Sequence, residues 1–376
     1  MKVYRIILSF IIMLFLGTMA IINFTFPDRE FSEEENRMLK GKPTFSWETL
    51  KNGKFTKEYE AYITDQFPFR DFWVEVKASS ERLLQKRDNN GVYLGKDGYL
   101  LQKVDKVDEE ILNKNLQAIN MFGKNNTGNK IYFLLAPNSV EILKNKLPPF
   151  ASSENQLYII NSVQNKLDSS ISFIDGYKAL SEHKNEYIYY KTDHHWTSFG
   201  AYYAYNYLGS KMGYTPLAIE DFNVEKVTDE FYGTLYSKGN YRTASSDSIH
   251  IFKPKKEPSY TVEYLDTNTS SHSLYEFKHL NSKDKYSLFL DGNHALTVIK
   301  TDINKDKKLL VIKDSYAHSL IPFLTNNYGE IHVMDLRYFN MSVGNYMKEN
   351  NIEEVLLVYN ILSFVEDSSI MNLKFK

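Results

Sequence analysis

Cysteine is missing from this chain of 376 residues, and charge is nearly balanced, with a formal net charge of -2. The lack of cysteine excludes a disulfide framework and a metal site built on thiolates. The small net charge gives no indication of the basic surface by which proteins bind nucleic acid. The chain also has no internal repeat or low-complexity segment, so its length fits one large domain or two modest ones.

Long apolar runs are scarce too, and a single one stands out near the N-terminus. Residues 6–22 carry no charge and follow Lys2 and Arg5. The run is just long enough to span a bilayer, exceeds a usual signal-peptide core and has no small-residue cleavage site after it. It predicts an uncleaved signal-anchor within residues 1–25, with the basic flank in the cytoplasm and the rest of the chain outside the cell. Cleavage nearby is the alternative.

Residues 26–87 predict a charged linker followed by a helical segment. Residues 28–54 are charged and contain Pro43 and Gly53. A helix is expected from about Phe55 to Arg87, with an interruption at residues 67–71, because a proline disfavours the helical conformation of the residue before it.

Residues 88–376 predict one α/β domain. A hairpin over residues 92–101 precedes strands that alternate with helices, and this spacing is typical of a mostly parallel sheet with helices on both faces. The clearest part has strands at 309–312, 330–334 and 354–358, with helices at 317–325 and 342–350. Residues 214–300 are rich in Thr, Ser, Tyr and Asn and contain short apolar runs, including 286–290, which indicates a β-rich insertion.

The motif Asp193-His194-His195-Trp196 is the strongest candidate for chemistry. A carboxylate that accepts a hydrogen bond from one imidazole nitrogen leaves the other nitrogen free to take a proton. In an extended segment, residues i and i+2 share a side, so Asp193 and His195 are expected to face one cleft and His194 to face elsewhere. A metal site and purely structural histidines are the alternatives.

A candidate partner for this acid–base pair lies downstream at Ser315. An apolar strand over residues 309–312 runs into Lys313-Asp314-Ser315, and a helix is expected to follow. A serine at such a turn is exposed at the carboxyl edge of a sheet, and its own amide and that of Tyr316 can hold an oxyanion. Asp and Ser are also common helix caps, so a capping role is the alternative.

These motifs together resemble the DHHW proteins, which in turn resemble the alginate O-acetylation proteins with an SGNH-hydrolase-like fold. Besides residues 193–196 and 313–315, the resemblance rests on four further segments, namely residues 67–71, 91–100, 231–235 and 335–339. It implies a circularly permuted SGNH-hydrolase-like fold, since here the Asp-x-His block precedes the serine. It also implies Ser315 as nucleophile, His195 as general base and Asp193 as the residue that orients the base.

The resemblance assigns further residues around the serine. Asn360, at the end of a strand, takes the place of the asparagine that donates to the oxyanion, with an ordinary turn residue as the alternative. Lys313 departs from the usual glycine and is expected to crowd the oxyanion pocket at worst. Trp196 reads as a core or wall residue, and Arg337 and Tyr338 as substrate-binding candidates, although an arginine after a strand is often only a surface residue.

The implied function is O-acetyl transfer to a cell-surface polysaccharide through an acetyl-serine. Acetyl-CoA is absent outside the cell, so the resemblance implies a membrane-embedded acyltransferase as the partner that supplies acetyl. No metal or organic cofactor is implied. An acetylesterase that uses the same three residues, and a glycan-binding scaffold without activity, are the alternatives that the sequence leaves open.

Overall fold

The computed structural model describes residues 2–374 and divides them into two compact units. One unit contains the described residues up to 89 together with residues 240–242, and the other contains residues 90–239 and 243–374. The first unit is mostly helical, with the elements α1 (Lys2–Thr25), β1 (Phe31–Ser32), β2 (Arg37–Met38), α2 (Trp47–Lys51), α3 (Lys54–Asp65), α4 (Arg70–Leu83) and β3 (Asp88–Asn89).

The helix α1 matches the apolar run of the sequence. Residues Val3–Thr25 are long and apolar enough to cross a bilayer, and none of this stretch is buried in the protein. Length and composition are therefore consistent with the signal-anchor that the sequence predicts.

The first unit departs from the sequence prediction at two places. The helix expected up to about Arg87 ends at Leu83, whereas the interruption predicted at residues 67–71 is present at Pro68 and Phe69, whose φ of 56° lies in the left-handed region. The segment before α3, expected to be a linker, is tied down, because Arg37 forms a bidentate pair with the buried Asp65 at 2.6 and 2.9 Å. An ion pair of this geometry fixes a segment that charge alone suggests to be loose.

The second unit contains the remaining helices and strands of the described chain. They are β4 (Val92–Leu94), β5 (Leu100–Gln102), α5 (Glu109–Asn125), β6 (Lys130–Ala136), α6 (Ser139–Ile142), α7 (Gln156–Lys166), β7 (Ile171–Asp175), α8 (Gly176–Ser181), α9 (Ser198–Met212), β8 (Phe222–Phe231), α10 (Thr234–Gly239), β9 (Asp247–Pro254), β10 (Tyr260–Tyr264), β11 (Thr269–Ser271), β12 (Leu296–Thr301), β13 (Lys308–Lys313), α11 (Ile321–Leu324), β14 (Glu330–Met334), α12 (Val343–Glu349), β15 (Glu354–Asn360) and α13 (Ile361–Glu366).

A mixed sheet of eight strands forms the centre of the second unit, in the order β11-β10-β12-β14-β13-β15-β6-β7. The five strands from β14 to β7 are parallel, and β12, β10 and β11 extend the sheet in antiparallel pairing. The predicted α/β class and the mostly parallel sheet are therefore correct. Because the five strands are parallel, Ser315 and Asp335, which follow β13 and β14, and Asn360, which ends β15, lie at the same edge of the sheet.

The central strand β13 is buried on both faces. Leu309 and Val311 pack into one hydrophobic core cluster, and Leu310 and Ile312 pack into the other. This explains why the strand reads as a continuous apolar run rather than an alternating one. Such a strand positions the turn that follows it with little freedom.

Residues 214–300 contain two kinds of β-structure. The strands β8 and β9 form a separate antiparallel ribbon, whereas β10, β11 and β12 belong to the central sheet. The apolar run at 286–290 does not form the expected strand, because Lys285–Leu288 is a turn of 3₁₀ helix. Its apolar side chains are buried in the core by this turn instead.

Candidate active site

The segment that carries Asp193 is a series of bends between Tyr190 and Trp196, and it is not the extended strand on which the i, i+2 argument rests. Asp247 at the start of β9 holds the segment in place, because its carboxylate accepts hydrogen bonds from the amides of Lys191 and Thr192 at 2.8 and 2.7 Å. Burial raises the pKa of Asp247 despite these bonds. The bends are therefore fixed by one buried acid 55 residues downstream.

Within these bends, Asp193 accepts two hydrogen bonds from His195. Its Oδ1 accepts from the His195 amide at 2.9 Å and from His195 Nδ1 at 2.5 Å. Its Oδ2 accepts from the amide and hydroxyl of Thr234 at 2.8 and 3.1 Å. Burial opposes ionisation, but the charges of His195 and His194 and these hydrogen bonds together hold the pKa of Asp193 well below its ordinary value. Asp193 is thus a buried carboxylate, and it fixes His195 as the tautomer with a proton on Nδ1.

Gly233 explains how the loop before α10 can come so close to Asp193. A Cβ at this glycine would lie 2.2 Å from Asp193 Cβ, which no real contact allows. The close approach lets the adjacent Thr234 reach the carboxylate. Both residues belong to a segment that resembles the family, although no local pattern indicates a role for either of them.

Ser315 lies at the end of β13, as the first residue of a 3₁₀ turn over Ser315–Ser319. Its hydroxyl oxygen is 2.7 Å from His195 Nε2, so the expected contact between serine and histidine is present. The imidazole is buried, whereas Ser315 is only half-buried. Asp193, His195 and Ser315, named the Ser–His–Asp group from here on, thus form one hydrogen-bonded series that ends at a half-buried residue.

The amides around Ser315 differ from the expected oxyanion donors. Asp314 caps the turn by accepting from the Tyr316 amide at 2.9 Å, so that amide is already used. Among the described residues, no hydrogen-bond partner reaches the Ser315 amide. The serine's own N–H is therefore the backbone donor that this turn leaves available.

Asn360 does not have a free amide for an oxyanion, contrary to the role that the resemblance implies. Its Nδ2 donates to Asp314 Oδ2 and to Ser363 Oγ, both at 2.7 Å, which uses both hydrogens. Asp314 is fully buried, and this burial raises its pKa. Asn360 therefore satisfies the carboxyl group that shapes the serine turn.

Lys313 does not crowd the pocket, because its ammonium is fully used elsewhere. It donates to Asp335 Oδ2 at 2.9 Å, to His318 Nε2 at 2.7 Å and to Asn293 Oδ1 at 3.3 Å. Burial lowers the pKa of Lys313, with Asp335 opposing the shift, and burial together with Lys313 holds the pKa of His318 well below its ordinary value.

The remaining predicted site residues have structural contacts. Trp196 is fully buried, and its indole N–H donates to the Tyr316 carbonyl at 2.9 Å, so it forms part of the wall and offers no face to a sugar. The Tyr316 hydroxyl donates to the His194 carbonyl at 2.6 Å. Arg337 is bound to Asp335, and the half-exposed ring of Tyr338 lies beside its guanidinium, 5.4 Å away. No described contact joins Arg337 or Tyr338 to the Ser–His–Asp group.

Tyr286 is a site residue that the sequence does not reveal. Its ring stacks on the His195 imidazole, with centroids 3.8 Å apart and planes 9° apart. Its hydroxyl lies 3.3 Å from the Ser315 carbonyl and 3.1 Å from Ser319 Oγ. The residue lies in the 3₁₀ turn that the sequence suggests to be a strand, so no local pattern marks it.

Contrary to the sequence prediction, His194 does not face away from the Ser–His–Asp group. Its ring lies 3.8 Å from that of His195, and its Nδ1 is 2.6 Å from Thr234 Oγ1. Burial and the neighbouring His195 lower the pKa of His194 to about 4. Ligand atoms of Asp193, His194 and His195 lie within 4.8 Å of one another, but an ion there would have to displace the hydrogen bond that fixes His195.

The fold and the site together define an α/β protein with a serine, a histidine and an aspartate in hydrogen-bonded series at the edge of a mostly parallel sheet. The chain belongs to the DHHW family, whose model, described as "DHHW protein", matches residues 107–334.

Solved structures with the same fold accompany this family match. A DHHW family protein from Eubacterium siraeum is 26% identical, with a TM-score of 0.67 over 75% of this chain and 95% of that chain. PatB1 from Bacillus cereus, solved with and without a sulfonyl adduct, is 22% identical with a TM-score of 0.62. The adduct-free PatB1 match covers 73% of this chain and 97% of that chain.

A more distant match is the O-acetyltransferase domain of AlgJ from Pseudomonas putida, at 16% identity and a TM-score of 0.48, over 76% of this chain and 98% of that chain. Among curated proteins, no sequence matches the chain significantly.

Proposed function

We propose that this protein is an O-acetyltransferase that places acetyl groups on hydroxyls of a polysaccharide outside the cell. The observation that carries the proposal is the hydrogen-bonded series from Asp193 through His195 to Ser315, with steps of 2.5 and 2.7 Å. A serine hydroxyl becomes a nucleophile when a positioned base takes its proton, and this geometry supplies such a base.

In the first half of the proposed reaction, His195 Nε2 accepts the proton of Ser315 while Oγ attacks the carbonyl carbon of an acetyl ester. The Ser315 amide donates to the oxygen that becomes negative. The bond between the carbonyl carbon and the donor oxygen then breaks, and His195 returns the proton to that oxygen. The product is an acetyl-serine and the free donor alcohol.

In the second half, a sugar hydroxyl replaces the departed alcohol. His195 takes its proton, the sugar oxygen attacks the acetyl-serine, and the Ser315 oxygen leaves with the proton from His195. Water can carry out the same step, so transfer requires an acceptor that is held in place. An oriented acceptor reaches an effective concentration on the order of 10⁵ M, far above that of water. Arg337 and the half-exposed Tyr338 stay our proposed contacts for that acceptor.

Asp193 supports both steps through its charge. Its lowered pKa keeps it ionised at neutral pH, and the carboxylate stabilises the imidazolium that forms each time His195 takes a proton. The stacked ring of Tyr286 hinders rotation of the imidazole about the Cβ–Cγ bond of His195.

The chain order supports a circularly permuted SGNH-hydrolase-like fold. Asp193 and His195 precede Ser315, whereas the serine comes first in the usual layout of that fold. We propose that residues 88–376 form the catalytic domain and that residues 1–25 anchor it on the extracellular side of the membrane. A membrane-embedded acyltransferase then supplies acetyl, since acetyl-CoA is not present outside the cell.

The proposal is tested with the full chain in detergent, a chromogenic acetyl ester as donor and a panel of surface oligosaccharides as acceptors. Mass spectrometry follows acetate, acetylated sugar and the acetylated Ser315 peptide. We expect the right acceptor to divert acetyl from acetate to sugar. Acetate release that is unchanged by every acceptor, with loss of acetyl from acetylated glycans, would show that the protein is an esterase.

A chemical probe tests the serine apart from any substrate. A sulfonyl fluoride reacts with an activated serine, and a PatB1 structure contains a sulfonyl adduct. We expect the reagent to label Ser315 in the unaltered protein and to leave Ser315 unlabelled in His195→Ala. Equal labelling of the two proteins would contradict activation by His195.

A further inference from the structure

The helix α4 presents an apolar face to solvent. The side chains of its outward arc are between 38% and 85% exposed, and they are Phe69, Phe72, Trp73, Val76, Leu83 and Leu84. With 3.6 residues per turn, the four that lie within α4 fall within about 100° of the helix circumference, and Phe69 and Leu84 flank its two ends. The arc contains only one polar residue, Ser80. We name this arc the α4 face.

The opposite side of α4 is charged and turned inward. Arg70 forms a bidentate pair with Glu35, with distances of 2.6 and 3.1 Å, and both side chains are largely buried. Asp71 accepts from Arg29 at 2.7 Å, and Ala78 is the buried residue of the helix. A surface helix of a globular protein has the reverse polarity, with its apolar stripe toward the core. The inverted arrangement indicates that something apolar covers the α4 face.

The start of the α4 face is joined to the end of α1. Phe26 directly follows the last residue of α1, and its ring packs on Phe69 at 5.5 Å between centroids. A cleft of about 400 Å³ is lined by Phe26, Phe67, Phe69 and Phe72 beside the Arg29–Asp71 pair. The apolar surface of α1, none of it buried, is therefore continuous with the α4 face.

We propose that the α4 face lies in the interfacial layer of the bilayer that α1 enters. Aromatic and aliphatic side chains on one face of a short helix are typical of helices that lie in this layer. The exposed Lys77 at the edge of the arc can extend its ammonium toward the headgroups while its stem stays beside the face. The first unit is then held at the membrane by two elements, one that spans it and one that lies on it.

Tryptophan fluorescence tests this placement in the full chain. The protein contains three tryptophans, and Trp47→Phe leaves Trp73 on the α4 face and the fully buried Trp196. The variant is reconstituted into phosphatidylcholine vesicles whose acyl chains carry bromine at different depths. We expect strong quenching of Trp73, greatest for bromines near the glycerol end, because interfacial helices lie about 5–10 Å into the headgroup and acyl boundary. Iodide in the water should quench it little.

Matched variants separate the face from the rest of the surface. In the Trp47→Phe background, Val76→Ser with Leu83→Ser should reduce quenching by brominated lipid at least two-fold. Met121→Ser, which alters an exposed apolar residue on α5, should leave it unchanged. Emission of Trp196, read in Trp47→Phe/Trp73→Phe, checks that the fold is intact.

Two results would overturn the proposal. Free access of iodide to Trp73 without lipid quenching would mean that the α4 face lies in water. Protection of Trp73 from both quenchers would mean that a protein surface, such as a second copy, covers the face instead of lipid.

Discussion

Lys313 and Ser315 are two residues apart at the end of β13, but the polar groups around them differ in how completely they are used. The Lys313 ammonium gives its three hydrogens to Asp335, His318 and Asn293, and it is 2% exposed. Ser315 is half-buried, and its amide has no partner among the described residues. A closed network of this kind stabilises a turn, whereas a group with unused capacity at the surface can act on another molecule.

The variant with the largest expected effect on this contrast is Ser315→Ala. Removal of a nucleophile from such a group costs on the order of 10⁶ in turnover in a well-studied serine protease. We expect loss of both acetate release and acetyl transfer, measured with the chromogenic ester, and a melting temperature close to that of the control Ser210→Ala. Retained turnover would place the nucleophile elsewhere.

Lys313→Met should show the opposite pattern. Loss of one partner from a buried ionic cluster typically costs about 3–5 kcal/mol, because the groups left behind are unpaired. We expect a large fall in the free energy of unfolding, measured by denaturant titration, while turnover per folded molecule stays within about ten-fold. A loss of turnover at unchanged stability would break the comparison, because Lys313 would then act in the reaction and not in stabilising the fold.

Thr234→Val tests the support of Asp193. The valine keeps the shape but removes the hydroxyl that donates to Asp193 Oδ2 at 3.1 Å. A hydrogen bond to a charged group contributes about 1.5–3 kcal/mol, so kcat/KM should fall about ten-fold or more. The pKa of Asp193 should rise toward its ordinary value, because one hydrogen bond to the carboxylate is lost. The exposed Thr269→Val is the control, and equal kcat/KM in both variants would contradict this role.

The smallest effect concerns pH. His318 stays neutral in the folded protein, since its pKa is well below 6.5, while the unfolded chain takes up a proton there below pH 6.5. The unfolded state then binds more protons, so stability falls as the pH drops from about 6.5 toward the folded pKa. One such histidine contributes up to about 1.4 kcal/mol per pH unit. His318→Gln should flatten the slope of unfolding free energy against pH, and an unchanged slope would exclude His318 as its source.

The residues that could be predicted from the sequence are those marked by strong local patterns. The apolar run of β13 and the acid, histidine and serine motifs identified Ser315, His195 and Asp193 as neighbours. The argument that chose His195 over His194 rests on an extended strand, and that strand is absent. Asp193 contacts His195 because the chain bends between them. The loops that bring Tyr286 and Thr234 to the site carry no such pattern, because their contacts depend on how distant segments close.

Asn360 and Lys313 show a second limit. Their positions in the chain were correctly placed beside the serine turn, yet the hydrogen bonds of a side chain depend on which partners the neighbouring strands present. Asp314 takes the amide of Asn360, and Asp335 at the end of β14 takes the ammonium of Lys313. Buried carboxylates determine these side-chain orientations, and the burial of a carboxylate depends on how the strands assemble into the sheet.

The sequence separation of 120 between His195 and Ser315 affects when the two side chains meet during folding. Closing so long a segment costs chain entropy before any contact offsets it, so contacts of this kind form late in folding. The Ser315 hydroxyl is therefore expected to lack its contact with His195 until β13 has paired with β14 and β15. Pulses of sulfonyl fluoride during refolding should label Ser315 only after the amides of these strands resist hydrogen exchange, and earlier labelling would show that the group forms without the sheet.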